Sequence, residues 1–228
     1  VSTIALVTYG KLKEPRHADC MAALQQSGIL VIETRGSAHI DIARSHLACA
    51  ALGLEADVVV FIDHDILFES SDVERLANVA RETRGVVAVP YSTRMMGGSV
   101  VGGIAPYVES VIFYEGGGLY PATDVLGMGF TAIHRDVFEL MDLLPEYALV
   151  DSMEGPMRPY FQKRIVDGYW MGEDASFCHF ARVAGGTTTV DTRIRVKHLG
   201  DYAFGIEDCR RRLTEESSIC LKIKGSEA

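Results

Sequence analysis

The sequence predicts an α/β fold built on a doubly wound, mostly parallel sheet. Through Pro90, apolar runs that read as buried strands alternate with segments of helical periodicity. The strongest run, Asp57-Val58-Val59-Val60-Phe61-Ile62, is continuous rather than alternating, as a parallel strand covered on both faces requires. Glycines or polar turns punctuate the boundaries.

The elements follow in order. Thr3–Tyr9 reads as a buried first strand that Gly10 breaks, residues 17–26 as a helix, and residues 28–33 as a second strand. Ile42, Ala43, Leu47, Ala50, Ala51 and Leu54 share one helical face, with Ser37 as a cap upstream and Gly53 weakening the end. The Asp57 to Ile62 strand comes next. Ser71 or Asp72 caps a helix running to about Thr83, and residues 85–90 form a fourth strand. The resulting β-α-β-α-β-α-β order is that of a sheet with helices on both faces. Beyond Pro90 glycines cluster at Gly97-Gly98, Gly102-Gly103 and Gly116-Gly117-Gly118. Short strands are expected near residues 110–114, 125–134, 187–190 and 193–198, with helices after Arg135 and after Gly172. Residues 151–169 read as a long, mobile loop, a kind that is usually functional or disordered.

Composition narrows the function. The chain has 228 residues, 48% hydrophobic and 23% charged, enough for one domain with a substantial core. The formal charge of −9 argues against nucleic acid as a partner, because phosphate contacts need Lys and Arg. The run Arg210, Arg211 and Arg212 is read as a solvated helix face. The cysteines at 20, 49, 178, 209 and 220 are scattered and include no CxxC pair, so a zinc or redox motif is not supported and free thiols in a reducing compartment are expected. No apolar stretch approaches the length of a membrane span and no signal peptide is visible, so a cytoplasmic location is expected.

Three segments carry the chemistry. Phe61-Ile62-Asp63-His64-Asp65 ends a buried strand in two carboxylates two residues apart. In extended backbone such positions point the same way, so Asp63 and Asp65 are expected to converge on one cation at the carboxyl end of the sheet. Hard oxygen ligands suit Mg²⁺ or Mn²⁺. Gly172-Glu173-Asp174-Ala175-Ser176-Phe177-Cys178 places Glu173 and Asp174 where a helix begins. Acids there favour the helix dipole, but a carboxylate held in a glycine- and aromatic-rich loop also suits a general base or the stabilisation of developing positive charge. The third segment, Arg195-Val196-Lys197-His198-Leu199-Gly200, ends a short strand on His198 before a glycine turn. Alone, such a histidine is more often structural than a ligand.

Taken in order with Gly127-Met128-Gly129-Phe130-Thr131-Ala132-Ile133-His134-Arg135-Asp136-Val137-Phe138, which looks like the acceptor-side strand and its following helix, these segments resemble the GT-A glycosyltransferases, most strongly the bacterial and phage proteins related to the large family that includes cellulose synthases. The resemblance runs from Val1 to about Gly205. It implies a Rossmann-like sheet with a smaller mixed acceptor-side sheet, all in one domain over residues 1–228. The nucleotide-binding half would be 1–95, the acceptor-side half 96–205, and a C-terminal helix or tail 206–228. It implies metal-dependent transfer of a sugar from a UDP- or GDP-sugar to an acceptor hydroxyl. Asp63 would touch the ribose or the metal shell, Asp65 would bind the metal, and His198 would complete its site. Thr8, Tyr9 and Gly10 would hold the base, Arg44 the nucleotide or diphosphate, and Gly127 and Gly129 would let backbone approach the sugar. Asp174, with Glu173 beside it, would deprotonate the acceptor in an inverting enzyme or orient the sugar or acceptor in a retaining one; the stereochemistry stays open.

The rival readings are a nucleotidyltransferase acting on a sugar phosphate, a non-catalytic nucleotide-sugar-binding module and a metal-dependent hydrolase. The first wants a glycine-rich basic loop after the first strand, and Tyr9-Gly10-Lys11-Leu12-Lys13 matches it poorly. The second is signalled by loss of the acids, yet Asp63, Asp65 and Asp174 are all present. The third wants more clustering of His and Asp. Tyr160, Phe161, Tyr169 and Trp170 are read as an aromatic lid over donor and acceptor or as core. The acceptor and the oligomeric state are not legible.

Overall fold

The computed structural model describes residues 2–9, 15–35, 39–95, 99–105, 107–108, 110–123, 126–152, 155–209 and 220–223. In chain order, Thr3–Tyr9 forms β1, Pro15–Gln26 α1, Leu30–Arg35 β2, Ile40–Gly53 α2, Val58–Asp63 β3, Ile66–Leu67 β4, Ser70–Thr83 α3 and Val86–Ala88 β5. Tyr91–Ser92 (β6) and Val100–Val101 (β7) pair as a hairpin, followed by Ser110–Phe113 (β8), Leu119–Pro121 (β9), Phe130–His134 (β10) and Arg135–Met141 (α4). Two more hairpins join Val150–Ser152 (β11) to Gly155–Met157 (β12) and Arg164–Val166 (β13) to Tyr169–Met171 (β14). Glu173–Val183 is α5; Thr188–Asp191, Lys197–Leu199, Ala203–Phe204 and Cys220–Ile223 are β15, β16, β17 and β18.

The main sheet has the order β2-β1-β3-β10-β5-β15-β9. β1 is parallel to both β2 and β3. The fourth strand of the first half, β5, does not lie beside β3. β10 is inserted between them, antiparallel to both. The chain reaches β10 from a loop at the carboxyl end of β3, so β10 must run down the sheet, away from that end. The ladder continues into the loop, where Asp63 N–H donates to the Gly129 carbonyl at 2.9 Å.

Period-two alternation sends successive strand residues to opposite cores. Ile4, Leu6, Val59 and Phe61 pack with Leu47, Phe138, Phe177 and Ala181 of α2, α4 and α5. Ala5, Val7, Val58, Val60 and Ile62 pack with Met21, Leu24, Val73 and Leu76 of α1 and α3. The α2 face differs from expectation. Ala43, Leu47 and Ala51 are buried, but Ile42 and Leu54 are exposed, while Arg44 and Ser45 are buried. The helix is rotated toward the site.

Beside the main sheet, β4, β16 and β17 form a small antiparallel sheet, and β8 pairs in parallel with β18. Within the segment expected as a C-terminal helix or tail, the described residues include that strand and a 3₁₀ turn, Ile206–Asp208. Gly10, Ser37 and the run 210–212 lie outside the described residues.

The segment expected as a mobile loop, 151–169, is instead tied down in its middle. Phe161 stacks on Phe177 with ring centroids 4.5 Å apart and meets Phe61 edge-on at 5.0 Å. Tyr160 packs on Phe138, and its hydroxyl donates to Asp142 at 2.7 Å. Buried aromatics carry enough apolar area to order a segment that is otherwise glycine- and proline-rich. Phe161→Ala should therefore cost about 3–5 kcal/mol of stability in urea unfolding, the range for emptying a buried aromatic site; an unchanged midpoint would mean that the segment is loose after all.

Candidate active site

β1 and β3 end side by side, with Thr8 in register with Asp63. β3 ends at Asp63, and His64 and Asp65 form a turn before β4. The expected convergence of Asp63 and Asp65 needed extended backbone through position 65. The turn removes that condition, and the two carboxylates take different partners.

Asp63 faces α2. Arg44 Nη2 lies 3.0 Å from its Oδ1 and 3.2 Å from its Oδ2, and the Thr8 hydroxyl donates to Oδ1 at 3.1 Å. The other terminal nitrogen, Nη1, binds Asp174 Oδ1 and lies 3.6 Å from Glu173 Oε1. Arg44 is only 2% exposed, and its Nε has no partner. Burial opposes its charge, but Asp63, Asp174 and Glu173 outweigh that and hold it protonated more firmly than usual. Arg44 is no solvated helix arginine: its terminal nitrogens bind carboxylates of β3 and α5.

Asp174 opens α5 beside Glu173. Its Oδ2 accepts from Met128 N–H at 3.2 Å, and its side chain is 30% exposed. Burial, with the charges of Asp63 and Glu173, pushes its carboxyl up to about 6 against the pull of Arg44 and the Met128 N–H.

Asp65 sits on the other side of the turn. The β4–β16 pairing puts His198 opposite Ile66, and the Leu199 N–H donates to the Asp65 carbonyl at 2.6 Å. His198 Nε2 is 3.3 Å from Asp65 Oδ2, and Arg94 Nη2 is 2.9 Å from the same oxygen. His198 Nδ1 is 2.8 Å from the Ser92 carbonyl, which only accepts, so Nδ1 carries a proton and Nε2 is the atom turned to Asp65. Burial pushes the Asp65 carboxyl up, but the His198 hydrogen bond and the charges of His198, Arg94 and His64 outweigh it and hold it below the usual range.

Tyr91 lies between these two groups. Its ring meets His198 edge-on at 5.2 Å, and its hydroxyl fills the space above Gly127 and Gly129. A Cβ on Gly127 would lie 2.3 Å from that hydroxyl, and one on Gly129 would lie 3.0 Å from it. The close approach these glycines permit is therefore to Tyr91 of the same chain. Burial first, then the charges of Asp63 and Asp174, raise the tyrosine's pKa, so it stays a neutral phenol.

The fold thus brings Thr8, Arg44, Asp63, Glu173 and Asp174 into one cluster, and Asp65 and His198 into a second. Tyr9 ends β1, and Gly10 lies outside the described residues. Among the described residues no three His, Cys, Asp or Glu side chains are grouped to hold a metal ion, because Asp63 is drawn to Arg44 instead of completing the Asp65–His198 pair. Cys20, Cys49, Cys178 and Cys209 form no disulfide, and among the described residues no helix is long and apolar enough to cross a membrane. Sequence reasoning missed Tyr91, Ser92 and Arg94. They follow a proline in an ordinary-looking turn, and only the folded β6–β7 hairpin reveals their use.

No family model matches the chain, and no curated protein matches it. Among solved structures it is similar to A197 from STIV, at 15% identity and a TM-score of 0.56 over 88% of this chain and 87% of that one. It is also similar to GalNAc-T7 in a structure with UDP, GalNAc and Mn²⁺, at 11% identity and a TM-score of 0.47 over 89% of this chain and 44% of that one. A third is TarS 1–349 from S. aureus in complex with UDP-GlcNAc, at 10% identity and a TM-score of 0.48 over 99% of this chain and 60% of that one. The chain spans less than two thirds of the last two. The likeness is one of fold, and the fold is the GT-A-like, Rossmann-type α/β arrangement.

Arg44→Met should destabilise the protein by about 3 kcal/mol or more, because it leaves buried carboxylates uncompensated. Without the guanidinium, the Asp174 carboxyl rises further in the folded state. A raised carboxyl penalises folding above its folded pKa, and the penalty fades as pH falls through it. The loss should be larger at pH 8 than at pH 5 in urea unfolding; equal losses would mean that the charge pairing carries little weight.

Proposed function

We propose that the protein transfers a sugar from a nucleotide-sugar donor, UDP- or GDP-linked, to an acceptor hydroxyl, with Mn²⁺ or Mg²⁺ bound at Asp65 and His198. One observation carries this reading: His198, fixed through Nδ1 on the Ser92 carbonyl, aims Nε2 at an Asp65 carboxylate held ionised at the carboxyl end of the sheet. When neutral, that histidine turns a lone pair toward a carboxylate oxygen. Two such acceptors suit a cation, and the Ser92 carbonyl is the kind of outer partner that orients a ligating imidazole. Asp63 is left out of the metal's ligands in this reading. When bound, the metal would supply a Lewis acid that neutralises the departing diphosphate.

The chain's own groups divide the remaining work. Asp63, oriented by Arg44 and Thr8 and 23% exposed, accepts hydrogen bonds from the donor's ribose hydroxyls. Asp174 takes the proton of the acceptor hydroxyl as its oxygen bonds to the anomeric carbon and the bond from that carbon to the diphosphate breaks, the electron pair leaving with the diphosphate. A carboxylate with a pKa of about 6 is ionised at neutral pH yet a stronger base than a free aspartate. Glu173 adds negative charge beside it. The location expected from sequence, the cytoplasm, stands as part of this proposal, and the acceptor is an unidentified hydroxyl compound.

Thermal unfolding with a panel of nucleotide sugars tests the donor and the metal together, since a ligand of the native state raises the melting temperature. One UDP- or GDP-sugar should raise it only with Mn²⁺ or Mg²⁺ present, and Asp65→Ala or His198→Ala should remove that shift. A shift with a free nucleoside triphosphate and with no nucleotide sugar would move the assignment to nucleotidyl transfer. With the donor known, kcat/KM should fall tenfold per pH unit below about 6 as Asp174 is protonated. Asp174→Asn should lose about 100-fold or more; retained activity would reject it as the base.

A further inference from the structure

Asp65 has one partner that the proposed reaction leaves unused. Arg94 extends from the turn of the β6–β7 hairpin, which the Thr93 N–H closes on the Ser99 carbonyl at 2.9 Å. Its guanidinium binds Asp65 Oδ2 at 2.9 Å, the same oxygen that His198 Nε2 faces at 3.3 Å. The two side chains differ sharply in exposure, 55% for Arg94 and 10% for Asp65. The arginine stem rests on Gly200, where a Cβ would lie 3.5 Å from Arg94 Cβ. The stem is thus seated while the head lies at the surface, free to turn without unpacking the core.

In the ligand-free protein Arg94 neutralises a nearly buried carboxylate that would be costly alone. A divalent cation and a guanidinium cannot comfortably share one carboxylate oxygen, because like charges that close repel strongly in a partly buried site. A cation arriving at Asp65 therefore displaces Arg94. It also brings company: the donor's diphosphate, whose paired oxygens match the planar fork of a guanidinium. Of the other described cations, Arg44 is buried among acids and Arg16 lies 3.4 Å from the Gly200 carbonyl.

We infer that Arg94 is an exchangeable counter-ion: it holds Asp65 until a divalent cation takes that carboxylate, then binds the diphosphate of the incoming nucleotide. The inference rests on the proposed role of Asp65 and His198 as ligands of the cation, and it adds a diphosphate-binding residue to that site.

Titration calorimetry with MnCl₂ alone, and then with UDP or GDP at saturating Mn²⁺, tests it in the whole chain. Arg94→Met should bind Mn²⁺ alone more tightly, by about fivefold, the scale of a partly exposed ion pair. The same variant should bind the nucleotide more weakly, by about tenfold or more, the scale of hydrogen bonds to a charged group. Arg94→Lys, which keeps the charge and loses the fork, should return Mn²⁺ affinity to the wild-type value and recover only part of the nucleotide affinity. Asp65→Ala separates the two layers. If wild type and Asp65→Ala bind Mn²⁺ alike, or wild type binds neither Mn²⁺ nor nucleotide, the ligand assignment fails and the exchange with it. If Mn²⁺ binding needs Asp65 but Arg94→Met changes neither affinity, the assignment stands and the exchange is wrong. A change in only one of the two affinities overturns the exchange and leaves Arg94 as a counter-ion alone or a nucleotide ligand alone.

Discussion

One buried cation decides how the rest of the site can be built. Taking a guanidinium out of water costs several kcal/mol, and at 2% exposure Arg44 is tolerable only with anions at its fork. Those anions come from two separate elements. Nη2 takes Asp63 at the end of β3, and Nη1 takes Asp174, with Glu173 close by, at the start of α5. The position of α2 on the sheet, the end of β3 and the start of α5 are therefore coupled through a single planar group. The rotation of α2 follows from this: it turns Arg44 and Ser45 inward and leaves Ile42 in solvent. Ser45 uses its buried position too, accepting the Phe161 N–H at 3.0 Å, which ties the aromatic segment to the same helix.

The turn after β3 then divides the acids. Had the strand continued, Asp63 and Asp65 would share one face and compete for one cation. Ending it at Asp63 gives Arg44 the first carboxylate and leaves the second to the β4–β16 sheet, where His198 and Arg94 meet it. Tyr91 separates the two groups. Its ring packs against His198 and its hydroxyl occupies the room that Gly127 and Gly129 leave. A larger residue at either glycine would push on Tyr91 and so on the histidine, which makes the glycine loop part of the support of both clusters.

How much of this was legible follows from what kind of information each feature carries. The alternation of apolar runs and helical periods gave β1 its bounds and placed α2, β3 and α3 within a few residues, because local hydrophobic patterning dictates those elements. Asp63, Asp65, Asp174 and His198 could be named as candidates, since acids and a histidine at strand and helix ends stand out. Their pairing could not be read, because it depends on a turn two residues long and on an arginine whose burial no local pattern announces. Isolated in a helix, Arg44 looks like any surface cation. β10 shows the same limit at the level of topology: the apolar run at 130–134 signals a strand, but its insertion between β3 and β5 is a long-range choice. From sequence Tyr160 and Phe161 read equally as lid or core, and only their ring partners, Phe138 and Phe177, decide between those.

Charge arithmetic ties the two clusters to one chemistry. Arg44 faces three carboxylates, so full ionisation leaves an excess of negative charge in a place with little water. The excess is met where it is least costly, at Asp174, whose carboxyl rises to about 6, while the guanidinium stays charged. Asp65, by contrast, meets His198 and Arg94 and is held ionised. Two environments therefore push two aspartates in opposite directions within one site, the arrangement by which a single fold keeps one carboxylate as a fixed anion and tunes another for proton transfer. A fixed anion is what a metal ligand must be, and a carboxylate poised near neutrality is what a base must be. In the proposed reading the divergence of Asp63 from Asp65 serves both roles. By drawing Asp63 to Arg44, the fold sets the charge that raises Asp174, and by leaving Asp65 to cationic partners it keeps the other carboxylate ready for one more cation.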